Sequence, residues 1–536
     1  MQDAVVEAAR GEEVRLPQLI AARAAAQPDR AFLQHVDGSS LTYGELLESS
    51  LRWASLLEGL GVGRGARVVV MLPICLEAVP LWIGVGWLGA IEVPINTDLK
   101  MRSLVQAVEN LEARAIVTDE ALAARFEKIR DQLPEPLPLV VVDGAGEAAP
   151  SFRTLDARAE LPRAEPTPRE GPEAHDIASI MYTSGTTGAP SGVMQTWTQW
   201  HETALGLFPE GAVGEDDCWY LVHPLYHVTG KVPIYLMAAR NGRVVMRSRY
   251  RTQDFWNDVR EHGCSVTILL IATLHFLQQQ PQSPEDRDTP LNKALVAPLP
   301  DRLDEFRQRF GIEICTTYNM TEISIPICSQ TFELPNNRTC GRVRPGHQVR
   351  IVDDEDRPLG PGEVGEIVIR TDDPWKLMVG YWKRPEKTVE TWRNLWLHTG
   401  DLARYDEDGW FYYVDRKKDS IRRRGENISS MEVEAEVNGF PAVFESAAVA
   451  VASEFGEDEV KVYVVPHEGE EIDPAELTRF LIERMPRFMV PRYLEFVAAL
   501  PRTESTLKVQ KGVLREQGID EMTWDREAAG IKVPRD

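Results

Sequence analysis

Short β-branched runs alternate with helix-spaced segments from Leu16 to about Ser329, and this alternation restricts the fold more than any other feature. Arg67-Val-Val-Val-Met-Leu72, Glu92-Val-Pro-Ile95, Ala115-Ile-Val117 and Leu139-Val-Val-Val-Asp143 read as buried strands. Apolar spacing predicts helices at 16–26, 43–60 and 78–91. Strands and helices in alternation imply an α/β domain with a largely parallel sheet. A second α/β stretch starts at Asp176. Residues 133–172, rich in Pro, Ala and Glu, read as a surface connection. After Arg338, short strands divided by Gly, Pro and Asp turns predict a β-rich subdomain over about 338–415. Helices at 430–437 and 474–484 and strands at 447–452 and 460–465 predict a small α+β domain. The expected fold is therefore α/β: a large N-terminal domain of parallel-type sheets with a β-rich subdomain (1–415), then a C-terminal α+β domain (416–536).

A chain of 536 residues buries enough core to fold without disulfides or metals. It carries 83 acidic and 59 basic side chains, a net charge of −24. That argues against nucleic acid or anionic membrane as a main partner, but leaves room for a small basic pocket. The six cysteines form no Cys-x-x-Cys pair and read as buried, reduced thiols of a cytoplasmic protein. The acidic N-terminus lacks an apolar core, so no signal peptide is expected. The uncharged stretch 78–91 is shorter than the ~20 residues a membrane span needs and reads as a core helix.

The most informative segment is Asp176-Ile-Ala-Ser-Ile-Met-Tyr182 followed by Thr183-Ser-Gly-Thr-Thr-Gly-Ala-Pro-Ser-Gly192. Here an apolar strand enters a loop dense in Gly, Ser and Thr. Glycines let backbone N–H groups converge and hydroxyls add donors, so the loop can wrap a polyphosphate. In isolation such a run reads equally well as a surface loop. Its string, however, resembles the phosphate loop of the adenylate-forming superfamily: acyl-CoA synthetases, peptide-synthetase adenylation domains and firefly luciferase. Pro224-Leu-Tyr-His-Val-Thr-Gly230 is similar to that family's acyl-site segment, and Tyr318-Asn-Met-Thr-Glu322 to its YGxTE motif. Gly365-Glu-Ile-Val-Ile-Arg370, Met378-Val-Gly-Tyr-Trp382, Leu397-His-Thr-Gly-Asp401 and Val414-Asp-Arg-Lys-Lys-Asp419 follow in the family's order. Arg423-Arg-Gly-Glu-Asn427 looks most like the carnitine-CoA-ligase side of the family.

The resemblance implies a two-step reaction. A carboxylate and ATP give acyl-AMP and pyrophosphate, then a thiol, usually that of CoA, displaces AMP. The small domain turns about a hinge, here Lys418, between the steps. ATP or acyl-AMP, CoA and Mg²⁺ are the expected ligands, with a small carboxylic acid or its adenylate as substrate. Thr183, Ser184, Gly185, Thr186, Thr187 and Gly188 would hold phosphates. Tyr318 would stack on adenine beside Asn319. Asp401, an acceptor of paired donors, would take the ribose hydroxyls, with Arg416 reaching the same ribose. Thr321 would contact the α-phosphate, and Glu322 would hold Mg²⁺ as a hard oxygen ligand. Lys508 would bridge the carboxylate and the α-phosphate. His227 would stand beside the forming carbonyl. Ile271, His275, Ala297 and Cys315 would join His227 in the acyl wall, whose apolar character suits a bulky hydrophobic acid. Arg422, Arg423 and Arg424 would draw in the phosphates of CoA, with Gly425 leaving room for pantetheine. A salt-bridged surface run accounts equally well for the three arginines.

Three departures from the family pattern point one way. P-K-G has become Pro190-Ser191-Gly192, which removes a cation from the β/γ-phosphates. YGxTE has become Tyr318-Asn319-Met-Thr-Glu322, a bulkier residue beside the nucleotide. The segment 500–511 is one residue longer than in relatives and places Leu507 before Lys508. A misplacement of about 1 Å can cost about 10²-fold in such a role. Together they suggest a ligase specialised for thioesterification of preformed acyl-AMP, with a separate adenylating ligase as partner. That is a specialised-metabolism arrangement, of the kind served by platensimycin-type ligases. Two alternatives stand beside it. One is an ordinary two-step ATP-dependent acyl-CoA synthetase in which other residues compensate for the lysine. The other, of a different class, is a catalytically inactive adenylate-binding protein.

Overall fold

The computed structural model describes residues 14–133, 137–145, 147–183, 191–300, 302–417, 419–423, 426–452, 458–502 and 509–534. The described residues fall into two compact units. The first comprises the chain to 349 together with 369–395, and the second comprises 350–368 and the chain from 396 onward.

In the first unit the strand Arg67–Met71 explains the unbroken valine run. Val68 and Val70 join one apolar cluster, while Val69 and Met71 join another. A strand covered on both faces has no polar side to show in its sequence. It sits inside an eight-stranded sheet ordered Gly380–Tyr381, Ser191–Thr196, Ile177–Thr183, Ile91–Pro94, Arg67–Met71, Ala113–Thr118, Leu139–Val141, Thr154–Asp156. From Ile177–Thr183 to Thr154–Asp156 neighbouring strands are parallel; the two pairings of Ser191–Thr196 are antiparallel. The last two strands fall inside the predicted surface connection. The sheet thus runs through part of 133–172, because Leu139, Val140 and Val141 bury there in full.

A second, seven-stranded sheet is ordered Glu313–Cys315, Lys293–Val296, Val266–Leu269, Cys218–Leu221, Arg243–Met246, Ala31–His35, Ser40–Thr42. All pairings but the last are parallel. Its strands also alternate between two cores: Trp219 and Leu221 enter the cluster that holds Val68, and Tyr220 enters a third. The cluster common to both sheets also takes side chains from the helices Leu16–Ala26, Tyr43–Gly59, Ala78–Trp87, Trp197–Leu205 and Val228–Arg240. A helical layer therefore separates the sheets.

Every residue of Ala78–Trp87 is buried, so the stretch resembling a membrane segment is a core helix. A Cβ on Gly84 would lie 2.7 Å from Trp53 Cβ and 2.8 Å from the Ser50 carbonyl, so only glycine allows this approach. No helix among the described residues is long and apolar enough to cross a membrane.

The second unit contains a four-stranded sheet ordered Val443–Ala452, Asp458–Pro466, Tyr493–Phe496, Trp524–Asp525. The helices Ser430–Asn438 and Pro474–Ile482 cover one face through Val433, Val437, Leu477 and Leu481. It also holds the antiparallel hairpin Leu397–Tyr405/Phe411–Arg416, whose register sets Asp401 opposite Arg416.

One ion pair lies in the core of the first unit. Lys231 Nζ is 2.7 Å from Glu92 Oε2, both side chains are 2% exposed, and the ammonium lies 4.0 Å from the centre of the Trp82 ring. Burial pushes the Glu92 carboxyl up and the Lys231 ammonium down, against their mutual attraction. Lys231→Met should therefore lower stability by about 3–5 kcal/mol in urea denaturation, because Glu92 is left alone. The double change Glu92→Leu with Lys231→Met should recover most of that loss.

Candidate active site

Four adjacent strands of the seven-stranded sheet run parallel, so their carboxyl ends share one edge. The segment 224–227 leaves the edge after Cys218–Leu221, and the helix Ile271–Gln279 leaves it after Val266–Leu269. Ala297 follows Lys293–Val296, and Thr317–Tyr318 follows Glu313–Cys315. Parallel α/β sheets place their ligands at this edge. The expected acyl-wall and adenine residues thus gather along one line. Ile271 and His275 share an exposed face of their helix, while Leu274 and Leu277 anchor its other face. Ala297 is half-buried. Cys315 points into the core, with Sγ 3.5 Å from the Leu207 carbonyl, and burial raises its thiol well above the usual range.

Tyr318 is buried on its short strand. The loop after it is held by side chains that the motif itself does not contain. Gln195 Nε2 donates to the Thr321 carbonyl at 2.7 Å, and Gln199 Nε2 donates to the same oxygen at 3.1 Å and to the Ile323 carbonyl at 3.3 Å. These glutamines sit at the end of the strand Ser191–Thr196 and in the helix behind it, and both are buried. Asn319 Oδ1 accepts the Ile325 N–H at 3.2 Å, where Ile325 has a left-handed backbone. Asparagine in place of the family's glycine therefore closes this loop.

Glu322 is buried, and its Oε1 accepts the Tyr381 hydroxyl at 2.8 Å. Burial first, and then the Glu322 charge, raise the Tyr381 phenol far above its usual range, so it remains a donor. Lys387 completes this corner. Its Nζ donates to Ser191 Oγ at 2.9 Å and lies 4.0 Å from the centre of the Tyr381 ring. Sequence reasoning missed Lys387, Gln195 and Gln199. The absence of a lysine at 191 was the one signal inviting a search for another cation.

His227 caps the helix Val228–Arg240: its Nδ1 accepts the Thr229 N–H at 3.3 Å and lies 2.8 Å from Thr229 Oγ1. With Nδ1 accepting, the neutral ring carries its proton on Nε2. Though half-buried by exposed area, the ring is closely surrounded, and burial lowers its pKa to about 4. A Cβ on Gly230 would lie 2.1 Å from the Pro224 carbonyl oxygen, so glycine is required where the helix packs on its own lead-in segment.

In the second unit Asp401 and Arg416 face each other across the hairpin, Nε to Oδ1 3.6 Å. Asp401 is buried, and Arg416 is half-buried. Asp415 Oδ2 accepts both the N–H and the hydroxyl of Ser430 at 2.6 Å. Arg423 departs from its expected role with CoA. It is 2% exposed, paired with Glu459 at 2.8 Å, and donates to the carbonyls of Phe488 and Val490. Such a guanidinium holds the fold together and cannot reach a ligand. Ser184, Gly185, Thr186, Thr187, Gly188, Lys418, Arg424, Gly425, Leu507, Lys508 and the Arg422 side chain lie outside the described residues.

The AMP-binding enzyme family model matches residues 20–382, and the model of the AMP-binding enzyme C-terminal domain matches 432–506. The chain belongs to this family. Among relatives of this AMP-binding enzyme, the crotonobetaine/carnitine--CoA ligase of Salmonella heidelberg (strain SL476) is 31% identical over 88% of this chain and 92% of its own. The O-succinylbenzoate coenzyme A synthetase (MenE) of Bacillus subtilis, solved with AMP, superposes with a TM-score of 0.80 at 25% identity, covering 93% of this chain and 98% of that one. ATP-bound MatB from Rhodopseudomonas palustris shares the fold, with a TM-score of 0.82 at 24% identity over 94% and 98% of the two chains. This AMP-binding enzyme is thus an adenylate-forming protein of the acyl-CoA ligase family.

His223, His227 and His347 are each held down to about 4 from 6.5, with burial as the leading cause. An unfolded chain protonates these rings near pH 6.5, but the folded chain does not until about pH 4. Their contribution to stability is present above pH 6.5 and lost as pH falls through about 4. The unfolding midpoint should fall over that window, and His223→Leu should flatten the decline.

Proposed function

We propose that this AMP-binding enzyme makes acyl-CoA thioesters from a bulky hydrophobic carboxylic acid in two steps, with ATP, Mg²⁺ and CoA, through acyl-AMP. The carrying observation is the corner of Glu322, Tyr381, Lys387 and Ser191, where a buried carboxylate accepts the phenol hydroxyl and an ammonium lies over the same ring. A polyphosphate with its cation needs this pairing of charges. Mg²⁺, when bound with ATP, would neutralise phosphate charge, and Glu322 would hold it. Tyr381 orients that carboxylate. Gln195 and Gln199 fix the backbone of Thr321 beside the α-phosphate. Tyr318 offers its ring to adenine, and Asp401 accepts the ribose hydroxyls with Arg416 beside it. His227, neutral and with its proton on Nε2, would donate to the developing carbonyl oxygen. Lys508 would bridge carboxylate and α-phosphate. Residues 416–536 would turn about Lys418 between the steps, with Arg422, Arg424 and Gly425 meeting CoA.

A second reading keeps the thioesterification half-reaction as the main activity, fed by a separate adenylating ligase. The uncharged side chain of Ser191 favours it, whereas the Asn319 bond to Ile325 and the ammonium of Lys387 favour the two-step enzyme. Two assays separate them: acid-dependent pyrophosphate release, and conversion of synthetic acyl-AMP plus CoA to acyl-CoA. The two-step enzyme performs both; an enzyme performing only the second is the specialised form. Turnover in neither, across a panel of hydrophobic acids, points to an inactive binder. Asp401→Asn should raise the KM for ATP about 10- to 100-fold, the worth of hydrogen bonds to a charged acceptor.

A further inference from the structure

Ser191 opens the strand Ser191–Thr196 and is the first described residue after 184–190, which carry most of the Gly/Ser/Thr run. Its side chain is neutral and nearly buried, at 3% exposure. Lys387 comes from a different element, the helix Pro385–Thr391, yet delivers its ammonium to that hydroxyl at 2.9 Å. Three features set this lysine apart from a surface lysine.

First, it is half-buried, and burial lowers its pKa even though the Glu322 charge opposes the shift. Second, among the described residues no carboxylate forms an ion pair with it, whereas Lys231, Lys293, Lys376, Lys417, Lys461 and Lys511 all have such a partner. Third, it lies over the ring of the tyrosine that orients Glu322. An ammonium has three donors, and one neutral hydroxyl uses only one of them. A partly desolvated ammonium that no carboxylate touches gains most when an anion arrives to take its remaining donors. Arg384 adds positive charge nearby, and Glu322 and Glu390 add negative charge.

We propose that Lys387 is the cation that holds the β- and γ-phosphates of ATP, taking over from a distant helix the charge that Ser191 lacks. This deepens the two-step reading and rests on it. Ser191 then serves as a spacer: its hydroxyl fixes where the ammonium stands, and a lysine at both 191 and 387 would crowd two like charges. Phosphate binding by Lys acts through a point charge on a flexible stem, so the stem can start from another element.

The test compares ATP and AMP binding by calorimetry with Mg²⁺, without any acid, for the wild type, Lys387→Ala, and Ser191→Lys combined with Lys387→Ala. AMP lacks the phosphates in question, so its binding also reports that the variant is folded. Lys387→Ala should lose about 10- to 100-fold in ATP affinity and keep its AMP affinity. The combined variant should regain most of the ATP affinity, which a merely structural lysine would not permit. Unchanged ATP affinity in Lys387→Ala, or an equal loss for ATP and AMP, overturns the proposal. A wild type that binds neither nucleotide overturns the functional reading beneath it.

Discussion

The first unit depends on one constraint: its central strands are covered by apolar side chains on both faces. Val68 and Val70 face the helical layer between the sheets while Val69 and Met71 face a second buried core, and Trp219 and Tyr220 likewise enter different cores. Such strands offer no face for chemistry. Polar work is displaced to the ends, and parallel pairing lines those ends up along one edge. The segment around His227, the helix from Ile271, Ala297 and the loop from Tyr318 to Glu322 are neighbours for that reason. Glycines enter where backbones must approach each other, as at Gly84 and Gly230.

Charges inside this framework are handled in two ways. Lys231 with Glu92, and Arg423 with Glu459, are pairs whose opposite charges meet directly, at 2.7 and 2.8 Å. They tie a helix to a sheet and a hairpin to its neighbouring strand. Glu322 and Lys387 are different. Glu322 accepts the Tyr381 hydroxyl, while Lys387 lies over the same ring and donates to the Ser191 hydroxyl. A closed pair is costly mainly when one member is lost; opposite charges set around one phenol suit a ligand that carries both signs, such as a metal-bound polyphosphate.

Much of the fold was legible because burial and period agree locally. The helix Leu16–Ala26 and the strands at Arg67, Ala113 and Asp458 follow from apolar pattern alone. The strand Thr154–Asp156 was not legible, since three partly exposed residues at a sheet edge carry almost no hydrophobic signal. Site residues that sit within ordered motifs, such as His227, Tyr318, Glu322 and Asp401, were legible through resemblance. Gln195, Gln199 and Lys387 were not. Glutamine or lysine in isolation reads as surface, and their partners at Thr321 and Ser191 are remote in the chain. Arg423 shows the opposite error: a basic run looked like an exposed patch, yet strand alternation turns its side chain inward.

The sequence by itself determined the class of fold, the family and the order of the motifs, because local pattern and composition carry that information. It also determined what was missing, namely a lysine at position 191. Only the tertiary structure decided what stands in that place. Lys387 and Ser191 are brought together by the pairing of Gly380–Tyr381 with Ser191–Thr196, a contact made across nearly two hundred residues. No local rule of spacing reaches that far, since side-chain positions from separate elements are fixed only when the sheet that joins them is assembled.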